Sequence, residues 1–134
     1  MRRTIDYLET RPDLDTGKLS FYGFSWGGSV GPFLLAVEPR LKIGVLNQAG
    51  YSVGRYYDLD LAHYLPRVRQ PVLQFNGYFD ETFRYEDEAK PYFDMLGSEF
   101  KKHVVEPTGH FAPNSVVIRE TLAWLDQHLG DPGY

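Results

Sequence analysis

Residues 23–27 have the sequence Gly-Phe-Ser-Trp-Gly and lie between a segment typical of a β-strand and one typical of an α-helix. Residues 18–22 are rich in aromatic side chains and are bounded by glycines, which favours a short strand. Residues 27–37 are small and apolar, which favours a buried helix that ends near Pro39. A serine on so sharp a turn exposes its hydroxyl beside the free amides of a helix N-terminus. The pattern therefore indicates Ser25 as a nucleophile.

The glycines around Ser25 have a steric role in this interpretation. A chain that turns sharply from strand to helix brings flanking residues into collision, and Gly23 and Gly27 are expected to relieve it. Gly28 is expected to give further room for close packing of the helix on the strand. A chance match within a glycine-containing turn is the alternative, and the strand before and the helix after favour the nucleophile.

The remaining segments alternate between helix and strand. Helices are predicted at residues 2–9, 85–96 and 114–129, and strands at residues 41–46, 71–76 and 101–106. Gly97 is expected to end the second of these helices, and Asn114 or Ser115 to cap the third. The third helix is expected to bury its apolar residues, which are Val117, Ile118, Leu122, Trp124, Leu125 and Leu129. Strands separated by helices favour an α/β fold of three layers with a mainly parallel sheet.

Ligands bind parallel sheets outside the carboxyl ends of the strands, and one histidine fits that position best. His110 follows the fourth strand in a loop and is the candidate base. His103 lies inside that strand, where a packed or solvated strand residue is expected. His128 lies in the last turn of the terminal helix, where a cation suits the helix dipole. His63 lies in the irregular stretch at residues 47–70 and is expected to be a loop or lid residue.

A serine nucleophile needs a base, and the base needs a carboxylate to orient it. Asp80 follows the third strand and is the candidate acid, with the adjacent Glu81 as the alternative. The carboxylates of the next predicted helix are expected to be solvated surface charges. The resulting order of Ser25, Asp80 and His110 places each residue after a different strand, with the second strand skipped.

Composition excludes several classes of protein. The 134 residues are 43% hydrophobic and 24% charged, as in a single globular domain. A net charge of -4 argues against a nucleic-acid surface. The absence of Cys excludes disulfides, thiolate catalysis and Cys-ligated zinc. No apolar run is long enough for a membrane helix, and the N-terminus has no apolar region typical of a signal peptide, so no membrane contact is expected. The location is left unknown, with the cytoplasm as the default expectation.

At these residues the sequence resembles the α/β-hydrolase superfamily. More narrowly it is similar to esterases, prolyl-oligopeptidase-related hydrolases and dienelactone-hydrolase-like domains. The supporting stretches are Ile-Asp-Tyr-Leu at residues 5–8, GFSWGG, PVLQFNGYFDETF, EPTGHF and ETLAWLDQHLG. Together they span nearly the whole chain.

The resemblance implies a serine hydrolase that cleaves a carboxylic ester, or a peptide bond, through an acyl-enzyme. It implies Ser25 as nucleophile, Asp80 as the orienting acid and His110 as general base and then general acid. It also implies the amide of Trp26 as one oxyanion-hole donor. Neither a metal nor an organic cofactor is implied, and the expected partner is a small ester or peptide substrate.

The resemblance covers only the C-terminal half of such hydrolases, which have a wider central sheet. Residues 1–134 are therefore expected to be a partial domain without the N-terminal strands and the loop that supplies the second oxyanion donor. The strand from Lys18 to Tyr22 would then lie at an edge of the sheet with unpaired amides. The chain is expected to be a piece of a larger polypeptide, or to form a homodimer through that edge.

Two other functions remain open from the sequence alone. The chain could be a catalytically silent hydrolase-fold module used for protein interaction or assembly. It could also be a flavodoxin-like binding domain, although the only turn suited to phosphate lacks basic residues. Five aromatic residues either line an apolar pocket or simply pack beneath a long loop: Trp26, Tyr51, Tyr56, Tyr57 and Phe111.

Overall fold

A computed structural model describes residues 1–51 and 61–130. These residues form four α-helices, α1 (Arg2–Leu8), α2 (Trp26–Val37), α3 (Lys90–Asp94) and α4 (Asn114–Leu129). They also form four strands, β1 (Ser20–Phe24), β2 (Ile43–Asn47), β3 (Val72–Gly77) and β4 (Lys101–Glu106).

The four strands make one parallel sheet in the order β1-β2-β3-β4. Helices cover both faces, because α1, α2 and α3 contribute Ile5, Leu35 and Tyr92 to one apolar cluster. On the other face α4 contributes Val117 and Trp124 to a second cluster. The strands β2 and β3 are buried along their whole length. The predicted three-layer α/β fold is confirmed.

The prediction for β1 is wrong by two residues at each end. Lys18 belongs to a 3-10 turn, Thr16–Lys18, in which the carboxylate of Asp15 accepts a hydrogen bond from the Gly17 amide. The strand instead continues to Phe24, where the chain is still paired with β2. In the described sheet β1 and β4 are the two edge strands, and the predicted open edge at Lys18 to Tyr22 lies instead at Ser20–Phe24.

The segment predicted as one helix at residues 85–96 forms two shorter pieces. A single π-helical turn, Tyr85–Ala89, precedes α3, which ends at Asp94 with Met95, rather than Gly97, at the C-cap position. Gly97 has a packing role instead, since a Cβ there would collide with the carbonyl of Pro66. Neither Asn114 nor Ser115 caps α4, because the helix begins at Asn114 and Pro113 stands at the cap position.

The apolar residues of α4 are not all buried, contrary to the prediction. Ile118 and Leu122 are 59% and 56% exposed. They line an apolar cavity of about 300 Å³ together with Tyr22 of β1. The exposed side of α4 therefore faces the open edge of the sheet. In the part of the chain that the structure describes, no helix has the length and hydropathy needed to cross a membrane.

An ion-pair cluster attaches α1 to the end of α2. Arg40 donates hydrogen bonds to Glu38, Asp6 and Glu9 at 2.7–2.9 Å. Glu38 is almost fully buried, and its hydrogen bonds from Arg40 lower its pKa to about 2. The buried Glu38 carboxylate is thus charged and paired with Arg40. Because Arg40 also bonds to Asp6 and Glu9, this cluster holds α1 against the end of α2.

Candidate active site

Ser25 occupies the turn between β1 and α2 with a backbone conformation that non-glycine residues rarely adopt. Its φ is 54° and its ψ is -115°. The Ser25 amide donates to the carbonyl of Asn47 at 2.8 Å, and the Ser25 carbonyl accepts from the amide of Ser29 at 2.9 Å. These bonds to β2 and α2 hold the strained residue in place.

The glycines of the turn differ in their steric roles. A Cβ at Gly23 would overlap the backbone carbonyl of Gly27, so the side chain of residue 23 must be absent. A Cβ at Gly28 would lie 3.0 Å from the carbonyl oxygen of Asn47, which is a tight contact. A Cβ at Gly27 would meet nothing within 4 Å. The expectation that both flanking glycines relieve a collision is therefore right for Gly23 and wrong for Gly27.

The three residues predicted as nucleophile, base and acid lie together in the structure. The Nε2 of His110 lies 2.9 Å from the Oγ of Ser25, and the Nδ1 of His110 lies 2.7 Å from the Oδ2 of Asp80. A carboxylate can only accept, so the Nδ1–H donates to Asp80 and Nε2 is left to accept from the serine hydroxyl. This arrangement can move a proton from the hydroxyl to the imidazole.

Asp80 is buried, and its second carboxylate oxygen is also occupied. Oδ1 accepts hydrogen bonds from the amides of Thr82 at 2.7 Å and Phe83 at 3.3 Å. The adjacent Glu81 is exposed. Of the two candidate acids, only Asp80 is both held by its own loop and directed at His110.

Two neighbouring loops carry the acid and the histidine, and they are packed backbone to backbone. The amides of Tyr78 and Phe79 donate to the carbonyls of Glu106 and Thr108 at 2.7 and 2.9 Å. A Cβ at Gly77 would overlap the carbonyls of the histidine loop. Sequence reasoning missed this role of Gly77, although a glycine directly after a buried strand could have indicated a close backbone approach.

The other histidines lie away from this arrangement. His103 donates from Nε2 to the Oδ1 of Asn76 at 2.9 Å, and burial lowers its pKa to about 4. It is therefore a neutral, packed strand residue near neutral pH. Burial lowers the pKa of His128, and its ring packs 4.3 Å from that of Trp124, as expected for a structural residue of α4. His63 is exposed and ends a 3-10 turn, Leu61–His63.

Aromatic rings surround the imidazole of His110. Phe24 and Phe111 lie with their ring centroids 5.5 and 5.6 Å from it, and they stack on each other at 5.6 Å. Phe111 and Trp26 are 72% and 60% exposed, while Tyr51 packs against the core. Sequence reasoning missed Phe24, because the Gly-x-Ser-x-Gly motif allows any residue at the position before the serine.

The other two aromatic candidates, Tyr56 and Tyr57, lie outside the described residues. Within residues 1–51 and 61–130 there is no group of three or more His, Asp or Glu side chains placed to hold a metal ion.

Solved structures share this architecture. No protein-family model matches the sequence, and no curated protein is a significant match. The α/β hydrolase GrgF from Penicillium sp. sh18 superimposes with a TM-score of 0.86 at 11% identity, covering 97% of this chain and 70% of that chain. This chain has the α/β-hydrolase fold.

Two esterases share the α/β-hydrolase fold with this chain. A cold-adapted esterase from an Arctic intertidal metagenomic library matches with a TM-score of 0.81 and 26% identity, covering 96% of this chain and 56% of that chain. Acetyl xylan esterase 1 from Thermoanaerobacterium sp. JW/SL YS485 matches with a TM-score of 0.75 and 17% identity, covering 92% and 50%. The chain thus spans about half the length of these esterases.

Proposed function

We propose that this chain supplies the nucleophile, base and acid of a serine hydrolase that cleaves carboxylic esters, with peptides as a second substrate class. The observation that carries the proposal is the hydrogen-bonded chain from Ser25 through His110 to Asp80. A serine hydroxyl becomes an effective nucleophile near neutral pH when an oriented base takes its proton. The likeness to esterases supports this reaction class, and esters come first for that reason.

The proposed reaction has two halves. Ser25 Oγ bonds to the carbonyl carbon while its proton passes to Nε2 of His110, and the proton then passes to the leaving alcohol or amine as its bond to carbon breaks. A water molecule next gives a proton to His110 and its oxygen attacks the acyl-enzyme. The proton returns to Ser25 as the acid product leaves. Asp80 stays ionised and stabilises the imidazolium in both halves. These steps require neither a metal nor an organic cofactor.

Each tetrahedral intermediate carries negative charge on the former carbonyl oxygen. Trp26 is the first residue of α2, and the first amides of a helix have no intrahelical partner. We propose its N–H as one oxyanion donor. We also propose that residues 1–134 are part of a larger α/β-hydrolase domain, whose N-terminal strands carry the second donor; the chain spans only about half of the esterases that it matches.

A fluorophosphonate probe tests the proposed nucleophile. The full-length wild-type protein is expected to be labelled covalently, and Ser25→Ala in the same protein is expected to lose the label completely because the probe bonds to an activated serine oxygen. Ser20→Ala is the matched control, since Ser20 is an exposed serine of β1, the strand that leads to Ser25. Mass spectrometry of the labelled peptide locates the adduct. A label that persists in Ser25→Ala, or a wild-type protein that takes none, would contradict the proposal.

Interaction with another polypeptide is a second proposal, and the open edge of the sheet favours it. The described part of the chain gives β1 a strand partner on one side only. The exposed side chains of Ile118 and Leu122 lie next to that edge around an apolar cavity. An open strand beside exposed apolar surface is a template for pairing, and in the isolated chain the available partner is a second copy.

Self-association of the isolated chain is the expected result of that open edge. The double variant Ile118→Glu/Leu122→Lys places charges on the apolar surface and is expected to raise the dimer dissociation constant at least about tenfold. Gln127→Lys, at an exposed position of the same helix, should leave it unchanged. Sedimentation equilibrium over a range of concentrations measures the constant. A wild-type chain that stays monomeric throughout would rule out this proposal.

A further inference from the structure

Gln48 is a buried residue in an unusual backbone conformation beside the candidate site. It follows β2 directly, has no exposed surface and has a φ of 53°. The only other non-glycine residue with positive φ among the described residues is Ser25. A residue with a Cβ stays in the left-handed region only where its surroundings hold it there. The contacts of Gln48 should therefore explain its conformation.

The turn at Gln48 ends the ladder between β2 and β3. The Gln48 amide still bonds to the carbonyl of Phe75 at 2.8 Å, as in a parallel ladder. If the ladder continued, the amide of Gly77 would be the next donor, and it would donate to a backbone carbonyl of the chain continuing from β2. The chain has turned away by then, and the side-chain Oε1 of Gln48 accepts from the Gly77 amide at 3.0 Å. The side chain thus replaces the missing backbone acceptor.

Gln48 lies between two turns of the candidate site, the turn that carries Ser25 and the turn that carries Asp80. Gly77 begins the turn that carries Asp80, because the Asp80 amide donates to the Gly77 carbonyl at 3.3 Å. On the other side, the residue before Gln48 is Asn47, whose carbonyl accepts from the Ser25 amide at 2.8 Å. Gln48 therefore lies between the serine turn and the acid turn, in hydrogen-bond contact with the second.

We propose that Gln48 is a positioning residue for the proposed hydrolysis. Its left-handed backbone turns the chain out of the sheet, and its Oε1 holds Gly77 where the Asp80 carboxylate reaches His110. It touches none of the reacting atoms and acts through Asp80. Without its side chain, the buried Gly77 amide loses its acceptor and the acid turn can shift. The inference rests on the proposed function for its catalytic consequence only.

The variant Gln48→Gly isolates the side chain, because glycine adopts positive φ freely. At saturating fluorophosphonate, the rate constant for modification of Ser25 is expected to fall about tenfold to a hundredfold, as a small misplacement of the base would cause. The probe concentration for half-maximal rate should stay unchanged. In 15N-histidine-labelled protein, the downfield proton on Nδ1 of His110 should shift or broaden.

Two further variants control for a general loss of stability. Gln70→Leu removes a half-buried amide that precedes β3, at the opposite end of that strand from Gly77, and donates to the Leu35 carbonyl; it should change neither the rate constant nor the proton resonance. Gln48→Asn also tolerates positive φ, but its oxygen is one methylene short of Gly77, so it should resemble Gln48→Gly. Circular dichroism checks that each variant is folded. If Gln48→Gly does not fold, Gln48→Asn takes its place as the test of the side chain.

The two readouts separate this inference from the proposed function. A wild-type protein that takes no label contradicts the hydrolase, while the proton resonance still reports on the contact between His110 and Asp80. A labelled wild type whose folded Gln48 variants keep both the rate constant and the resonance would overturn the positioning role alone.

Discussion

Asp80→Asn is expected to lower the rate of ester hydrolysis about 10⁴-fold while leaving the fold intact. The Asp80 carboxylate accepts from Nδ1 of His110 and so leaves Nε2 free to take the Ser25 proton. An amide of the same shape can donate to Nδ1, which favours the tautomer whose proton sits on Nε2. It also removes the charge that stabilises the imidazolium. Hydrolysis of a chromogenic acetate ester by the full-length protein measures the effect.

Glu81→Gln is the matched control for that experiment. It makes the same chemical change one residue further along the chain, at an exposed side chain. Its rate should stay within about twofold of the wild type, since exposed charges interact weakly across water. Equal losses in the two variants, or a larger loss in Glu81→Gln, would show that Asp80 is not the orienting acid.

Gly23→Ala is expected to destabilise the protein by about 3 kcal/mol or more, whereas Gly27→Ala is expected to keep or slightly raise its stability. The new Cβ at residue 23 would overlap the backbone of Gly27, and neither the strand nor the helix start can move freely. The new Cβ at residue 27 meets open space in the first turn of a helix, where alanine is the better helix former.

The midpoint of urea unfolding, followed by circular dichroism, compares these two variants with the wild type. Both changes add one methyl group to the same motif, so a difference between them reports on position alone. Similar midpoints for the two variants would contradict the packing of the turn described above.

The sequence pattern was sufficient for the elements that follow simple periodicity. The strand at residues 101–106 is found with those bounds, the last helix ends at Leu129 as predicted, and the order of strands places residues 25, 80 and 110 at one end of the sheet. A motif with glycines and a serine, followed by an acid and a histidine after later strands, specifies this geometry because parallel strands end at one edge.

Other features depend on contacts that a local pattern does not contain. The start of β1 is set by the Asp15 carboxylate, which bonds to the Gly17 amide and keeps Lys18 in a turn. The exposure of Ile118 and Leu122 depends on what covers the far side of β1, which the amphipathic pattern of α4 cannot reveal. The role of Gln48 arises from a side chain that replaces a backbone acceptor in the next strand. Each is a tertiary effect.

The separation of the site along the chain has a consequence for protein synthesis. Ser25 and His110 are 85 residues apart, and Asp80 lies between them. A ribosome therefore makes the serine long before the imidazole that would take its proton, and an unassisted hydroxyl is a poor nucleophile. The proposed activity arises only when β4 joins the sheet. A nascent chain that does not yet contain His110 therefore cannot take the first step of the proposed reaction at Ser25.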